Sequence, residues 1–148
     1  MFSFKEKDIE RIAKVLRVKE YPWEGDHYRL KLVNQEERRS MALEVYPQVK
    51  LGDEEGCLIV VYTSTSHLQL HFCSGYVVSE ELGEVTFVAE SKGKLSGLVV
   101  ERGAACSLYA NVKSDLISGD FTKLGVEVML SGVALSLTEG ILDMKTGS

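Results

Sequence analysis

Residues 57–73 read Cys57-Leu58-Ile59-Val60-Val61-Tyr62-Thr63, then Ser64-Thr65-Ser66, then His67-Leu68-Gln69-Leu70-His71-Phe72-Cys73. Two runs rich in apolar and β-branched residues flank three small hydroxyl residues, which is the pattern of a β-hairpin. With Thr65 at the centre of the turn, Thr63 faces His67, Val61 faces Gln69, Ile59 faces His71 and Cys57 faces Cys73. Side chains alternate along a strand, so this register sorts them into two sets. Leu58, Val60, Tyr62, Leu68, Leu70 and Phe72 form an apolar set that predicts a core face. Cys57, Ile59, Val61, Thr63, His67, Gln69, His71 and Cys73 form the other set, turned to water or to a lined cavity.

The same short rhythm runs outward in both directions. Upstream, Tyr28, Leu30 and Leu32 alternate with Arg29, Lys31 and Val33. Met41, Leu43 and Val45 alternate with Ala42, Glu44 and Tyr46, and Pro47 is expected to stop that strand. Residues 52–56 read as an acidic loop. Downstream, residues 75–78 extend the hairpin past a bulge at Gly75. Residues 84–91 and 94–101 pair around Lys92-Gly93, and runs at 104–112, 116–121, 126–130 and 133–137 complete the set. No crossover helix separates these runs, which argues against a parallel βαβ fold. The fold class is mainly β: an antiparallel barrel or sandwich of about 9–10 short strands.

One helix precedes the strands. Ser3 and Glu6 have capping-box spacing, and Ile9, Ile12, Ala13 and Leu16 recur at helical intervals. A helix over about 4–17 is expected, with Pro22 preventing its continuation. The chain reads as a single domain spanning 1–148, with its β-rich region at about 26–138.

Composition narrows the function classes. Hydrophobic residues make up 45% of the chain and charged residues 26%, as in ordinary globular domains. No leader-like or membrane-spanning run stands out, so a cytoplasmic protein without a membrane partner is expected. The three cysteines, Cys57, Cys73 and Cys106, form no C-x-x-C pair and read as reduced thiols. Net charge is −5, which disfavours nucleic acid as a partner. Residues 1–50 carry 11 Lys/Arg against 9 Asp/Glu; the basic excess reads as a solvated helix face.

Candidate chemistry is sparse. His71, Cys73 and Cys57 combine borderline and soft ligands that suit zinc, provided the assumed register brings them together. His67 and His71 stand roughly 13 Å apart along a strand and cannot share an ion. Neither a nucleophile elbow nor a phosphate-binding loop occurs, so no catalytic residue and no cofactor is assigned. His67, Gln69 and His71 on one strand face, and Tyr21, Trp23 and Tyr28 near the end of the helix, are the candidate ligand-binding residues. Aromatic rings there can form a flat platform or simply seal the helix onto the sheet.

The best functional expectation is a non-catalytic β-barrel or sandwich that binds a small apolar ligand or a protein partner. The alternative is a homo-oligomeric structural or assembly protein. Residues 124–138 support it: Glu127 is the only charge there, and strands uncharged on both faces are usually covered on both. An enzyme or metal site on the His67–Cys73 strand face ranks third.

Overall fold

Among the described residues the period-two pattern after Trp23 is pleated backbone. The computed structural model describes residues 2–64, 67–91, 94–110 and 117–119. Its elements run α1 (Glu6–Leu16), β1 (Tyr28–Asn34), β2 (Arg39–Leu51), β3 (Glu54–Tyr62), β4 (His67–His71), β5 (Cys73–Ser79), β6 (Glu84–Ser91), β7 (Lys94–Glu101), β8 (Ala105–Ala110) and β9 (Ile117–Gly119). All pairings are antiparallel. They form two sheets, β1-β2-β3-β4-β9 and β5-β6-β7-β8. Among the described residues no ladder joins the two sheets or closes either into a barrel. The runs expected at 126–130 and 133–137 and the Lys92-Gly93 turn lie outside the described residues.

The expected register of the β3–β4 hairpin is corrected by one residue. Leu58 faces His71, Ile59 faces Leu70, Val60 faces Gln69, Val61 faces Leu68 and Tyr62 faces His67. The core face of β3 is therefore Cys57, Ile59 and Val61, not Leu58, Val60 and Tyr62. It continues into Leu43 and Val45 of β2 and Leu68 and Leu70 of β4, all buried. Phe72 packs against the core only in part, because the strand ends at His71. Phe72 takes a left-handed φ of 57°, and the chain turns there from the first sheet into the second.

Pro47 does not stop β2. The strand continues to Leu51, and the ladder shifts register between Tyr46 and Val49. A residue without an N–H is tolerated at such an irregularity because no ladder bond is demanded of it. Glu54 and Glu55, expected in a loop, are the first residues of β3.

The helix starts two residues later than its sequence spacing suggests. Phe4 is 4% exposed in the core, and Lys5, the N-cap of α1, is extended. Ser3 donates instead to the Pro47 carbonyl, while the Lys5 N–H donates to Asp8 Oδ2 at 2.8 Å and caps the helix. Ile9, Ile12, Ala13, Val15 and Leu16 form the buried face of α1, which packs on β1, β5 and β6. Helix and both sheets share one buried cluster, with Leu30, Leu43, Ile59, Leu70, Phe87 and Leu98 at its centre.

Asp8 also ties the helix to the second sheet. Tyr76 of β5 donates its hydroxyl to Asp8 Oδ1 at 2.7 Å. Burial alone would raise the Asp8 pKa. The Tyr76 hydroxyl, the Lys5 N–H and the nearby Arg11 and Lys7 charges outweigh it and hold the carboxyl below its ordinary value. Its folded pKa is depressed, so this contribution is present at neutral pH and is lost as pH falls through the folded value. Tyr76→Phe should cost about 1–2 kcal/mol at pH 7, and the deficit should shrink below about pH 4. Urea unfolding of both proteins at several pH values tests this; a deficit constant down to pH 3 would discount the bond.

Candidate functional site

The corner at Phe72 opens a cleft of about 590 Å³ where the N-terminal strap, β3 and the start of β5 meet. Phe2, Cys57, Phe72, Cys73 and Ser74 line it, with Glu54 and Glu55 completing the wall. Gly56 makes the corner possible. A methyl group at that position would stand 2.8 Å from Phe72 Cδ1, so only a hydrogen there lets the ring lie against the strand. Cys57 and Cys73 are 1% and 3% exposed.

Both thiols are buried and bonded to main chain. Burial pushes the Cys57 thiol up and the Cys73 thiol up to about 12. Each S–H donates to main chain, Cys57 to the carbonyls of Phe2 and Pro47, and Cys73 to that of Gly75. A thiol held protonated is a poor nucleophile and a poor metal ligand. The floor of the cleft is thus aromatic rings and neutral sulfur, while both glutamates are exposed at its edge.

The residues singled out from sequence lie mostly elsewhere. His67, Gln69 and His71 do share one face of β4, as expected, but Leu58, Val60 and Tyr62 join them there. The His71 ring meets the Gln69 carbonyl oxygen at 3.0 Å, and the His67 ring stacks on Tyr62 with centroids 6.1 Å apart. Burial lowers the His71 pKa. The corrected register separates the proposed zinc set: Cys57 points into the core, whereas His71 points from the opposite face. Of the aromatic trio, Trp23 and Tyr28 come together with ring centroids at 4.8 Å. Tyr21 and Tyr28 both pack against the core.

A second constellation was not visible in the sequence. Trp23 and Tyr28 bridge across a tight turn at Gly25-Asp26, where Gly25 has φ of 99° and the Glu24 N–H donates to the His27 carbonyl at 2.8 Å. The turn sets His27 over the outer face of the first sheet, stacked on Tyr46 at 4.5 Å. Its Nδ1 lies 2.7 Å from Asp26 Oδ1, and its Nε2 lies 2.9 Å from Glu24 Oε1 and 3.4 Å from Glu44 Oε2. Glu44 is 5% exposed. It is satisfied by Arg29, directly opposite on β1, and by the Tyr46 hydroxyl at 3.0 Å. Burial alone would lower the His27 pKa, but the surrounding carboxylates raise it.

Comparison of the chain with protein families, curated proteins and solved structures finds no match. The functional reading therefore rests on the geometry of these two places.

Proposed function

We propose that the protein is a non-catalytic binding module whose two-sheet sandwich holds a small, largely apolar ligand in the cleft at Phe72. The observation that supports this is the cleft itself: about 590 Å³, within the range of roughly 300–1,000 Å³ typical of small-molecule sites. Its lining joins a mostly apolar floor to a few polar groups at the mouth, the usual division between affinity and orientation. Chemistry is disfavoured by the same lining, because burial favours the protonated form of both thiols. Glu54 and Glu55 at the edge select against anions. The ligand expected is neutral or cationic at its polar end.

The neutral fluorophore N-phenyl-1-naphthylamine is a suitable probe. Its fluorescence should rise saturably on titration with protein, at one site per chain. Ser74 is exposed at the cleft, and Ser74→Trp should fill the mouth and weaken the probe by at least about tenfold, or 1.4 kcal/mol. An anionic naphthalene sulfonate should bind more weakly than the neutral probe. Binding that ignores Ser74→Trp, or that fails to saturate, would overturn the assignment.

A further inference from the structure

Three carboxylates converge on one imidazole at the Gly25-Asp26 turn. Glu24 Oε1, His27 Nε2 and Glu44 Oε2 lie within 4.8 Å of one another. We propose that these three residues form a binding site for a divalent first-row transition ion of the zinc class.

The distances are close to those a metal imposes. Ligands about 2.0–2.2 Å from a tetrahedral zinc ion stand roughly 3.4 Å apart. Two edges of the triangle, 2.9 and 3.4 Å, already approach that separation. The third lies within 4.8 Å, and Glu24 is the side that can close it. Its side chain is 43% exposed and borders the turn, so it is free to swing, whereas Glu44 is fixed on β2.

Asp26 does for His27 what an outer carboxylate does in many metal sites. A carboxylate accepting from Nδ1–H fixes the ring and its tautomer, leaving the Nε2 lone pair for the ion. The Asp26 Oδ1 contact at 2.7 Å has that form, and it aims Nε2 between Glu24 and Glu44. Glu44 is itself anchored through both oxygens, by Arg29 and by Tyr46. The second lone pair of Oε2 remains for a metal. Stacking on Tyr46 holds the imidazole plane.

Charge and ligand type select the ion. Glu24, Asp26 and Glu44 supply three negative charges against one positive charge on Arg29, which a dication neutralises. Mg²⁺ and Ca²⁺ prefer all-oxygen shells, whereas imidazole suits zinc, iron, nickel and copper. The ion takes the Nε2 lone pair, while Nδ1 keeps its proton against Asp26. The outward side, at Glu24 and Asp26, is open to water, so a solvent ligand completes the shell.

Trp23, the chain's single tryptophan, adjoins Glu24 and serves as a reporter. In metal-free protein, Co²⁺ should quench Trp23 fluorescence with saturation near one equivalent, and Zn²⁺ should displace it while millimolar Mg²⁺ does not. Zn²⁺ should also raise the thermal unfolding midpoint, since it binds the folded chain. His27→Gln and Glu24→Gln should each weaken Co²⁺ by at least about tenfold, and Asp26→Asn by about 10–100-fold as a positioning residue. Asp26→Asn should leave the metal-free unfolding midpoint nearly unchanged, which separates positioning from a structural role. The paired control His67→Gln/His71→Gln should bind as the parent does. Glu24→Gln removes only an exposed carboxylate and keeps the test valid where another variant fails to fold. Quenching unchanged in both His27→Gln and Glu24→Gln, equal competition by Mg²⁺, or no saturation below millimolar Co²⁺ would each overturn the site.

Discussion

Glu44→Ala is expected to destabilise the metal-free protein by about 2–4 kcal/mol, measured by urea unfolding in the presence of a chelator. Removing one member of a buried ion pair typically costs about 3–5 kcal/mol because the partner is left uncompensated. The Glu44 side chain is 7% exposed and the Arg29 side chain 33%, so water relieves part of the penalty and the expected loss is smaller. The alanine also strips Tyr46 of its acceptor. Burial and the Glu44 carboxylate both hold that phenol protonated far above its ordinary range. Glu44→Gln keeps an acceptor for Tyr46 and should cost about half as much. Adding Arg29→Met to Glu44→Leu should recover most of the loss, since a matched apolar pair often replaces a buried ion pair at little cost. A single-mutant loss below about 0.5 kcal/mol, typical of exposed pairs, would mean that Arg29 and Tyr46 find other partners.

Glu44 also shows how far the sequence could be read. Alternation in β1 and β2 was plain, and it already placed Glu44 opposite the Leu43 and Val45 face. Its meeting with His27 depends on the Gly25-Asp26 turn folding His27 back over the sheet, and no local spacing encodes that. The β3–β4 slip has a different cause. Leu68 and Leu70 alternate with polar Gln69 and His71, so β4 was oriented correctly. In β3 both alternating sets are apolar from Cys57 to Val61, and Val60 on the outer face is as buried as Cys57 on the inner. Hydrophobicity therefore gave no preference between faces, and the register hung on the assumed centre of the turn. The mainly β class, the antiparallel pairing and the N-terminal helix are legible because each draws on many residues at once. The cleft did not emerge because it depends on where the chain leaves one sheet for the other. That departure is made by a phenylalanine in a conformation for which glycine is the usual signal.

Residue 72 should accordingly invert the normal ranking of alanine and glycine. A bulky side chain at positive φ is a backbone outlier, and the left-handed region costs an L-residue roughly 1–2 kcal/mol. Phe72→Gly and Phe72→Ala both lose the ring, but only glycine also relieves the backbone, so it should be the more stable of the two by about 1 kcal/mol. At an extended position the order would be reversed, since glycine's unfolded chain has more freedom to lose. Gly56→Ala attacks the same corner from below. Its methyl group would enter the 2.8 Å gap to Phe72 Cδ1, and overpacking of this kind costs about 1–3 kcal/mol. The ring can yield only by tilting towards the cleft, because the Phe72 Cα, 3.7 Å from the same methyl position, is held by the turn. Gly56→Ala should therefore lose stability and naphthylamine binding together, whereas Gly56→Ala/Phe72→Gly should regain stability over Gly56→Ala. Equilibrium unfolding and probe titration of the four variants measure both effects. Alanine matching or exceeding glycine at residue 72 would show that the corner is not left-handed, and the wall of the cleft would lose its physical basis.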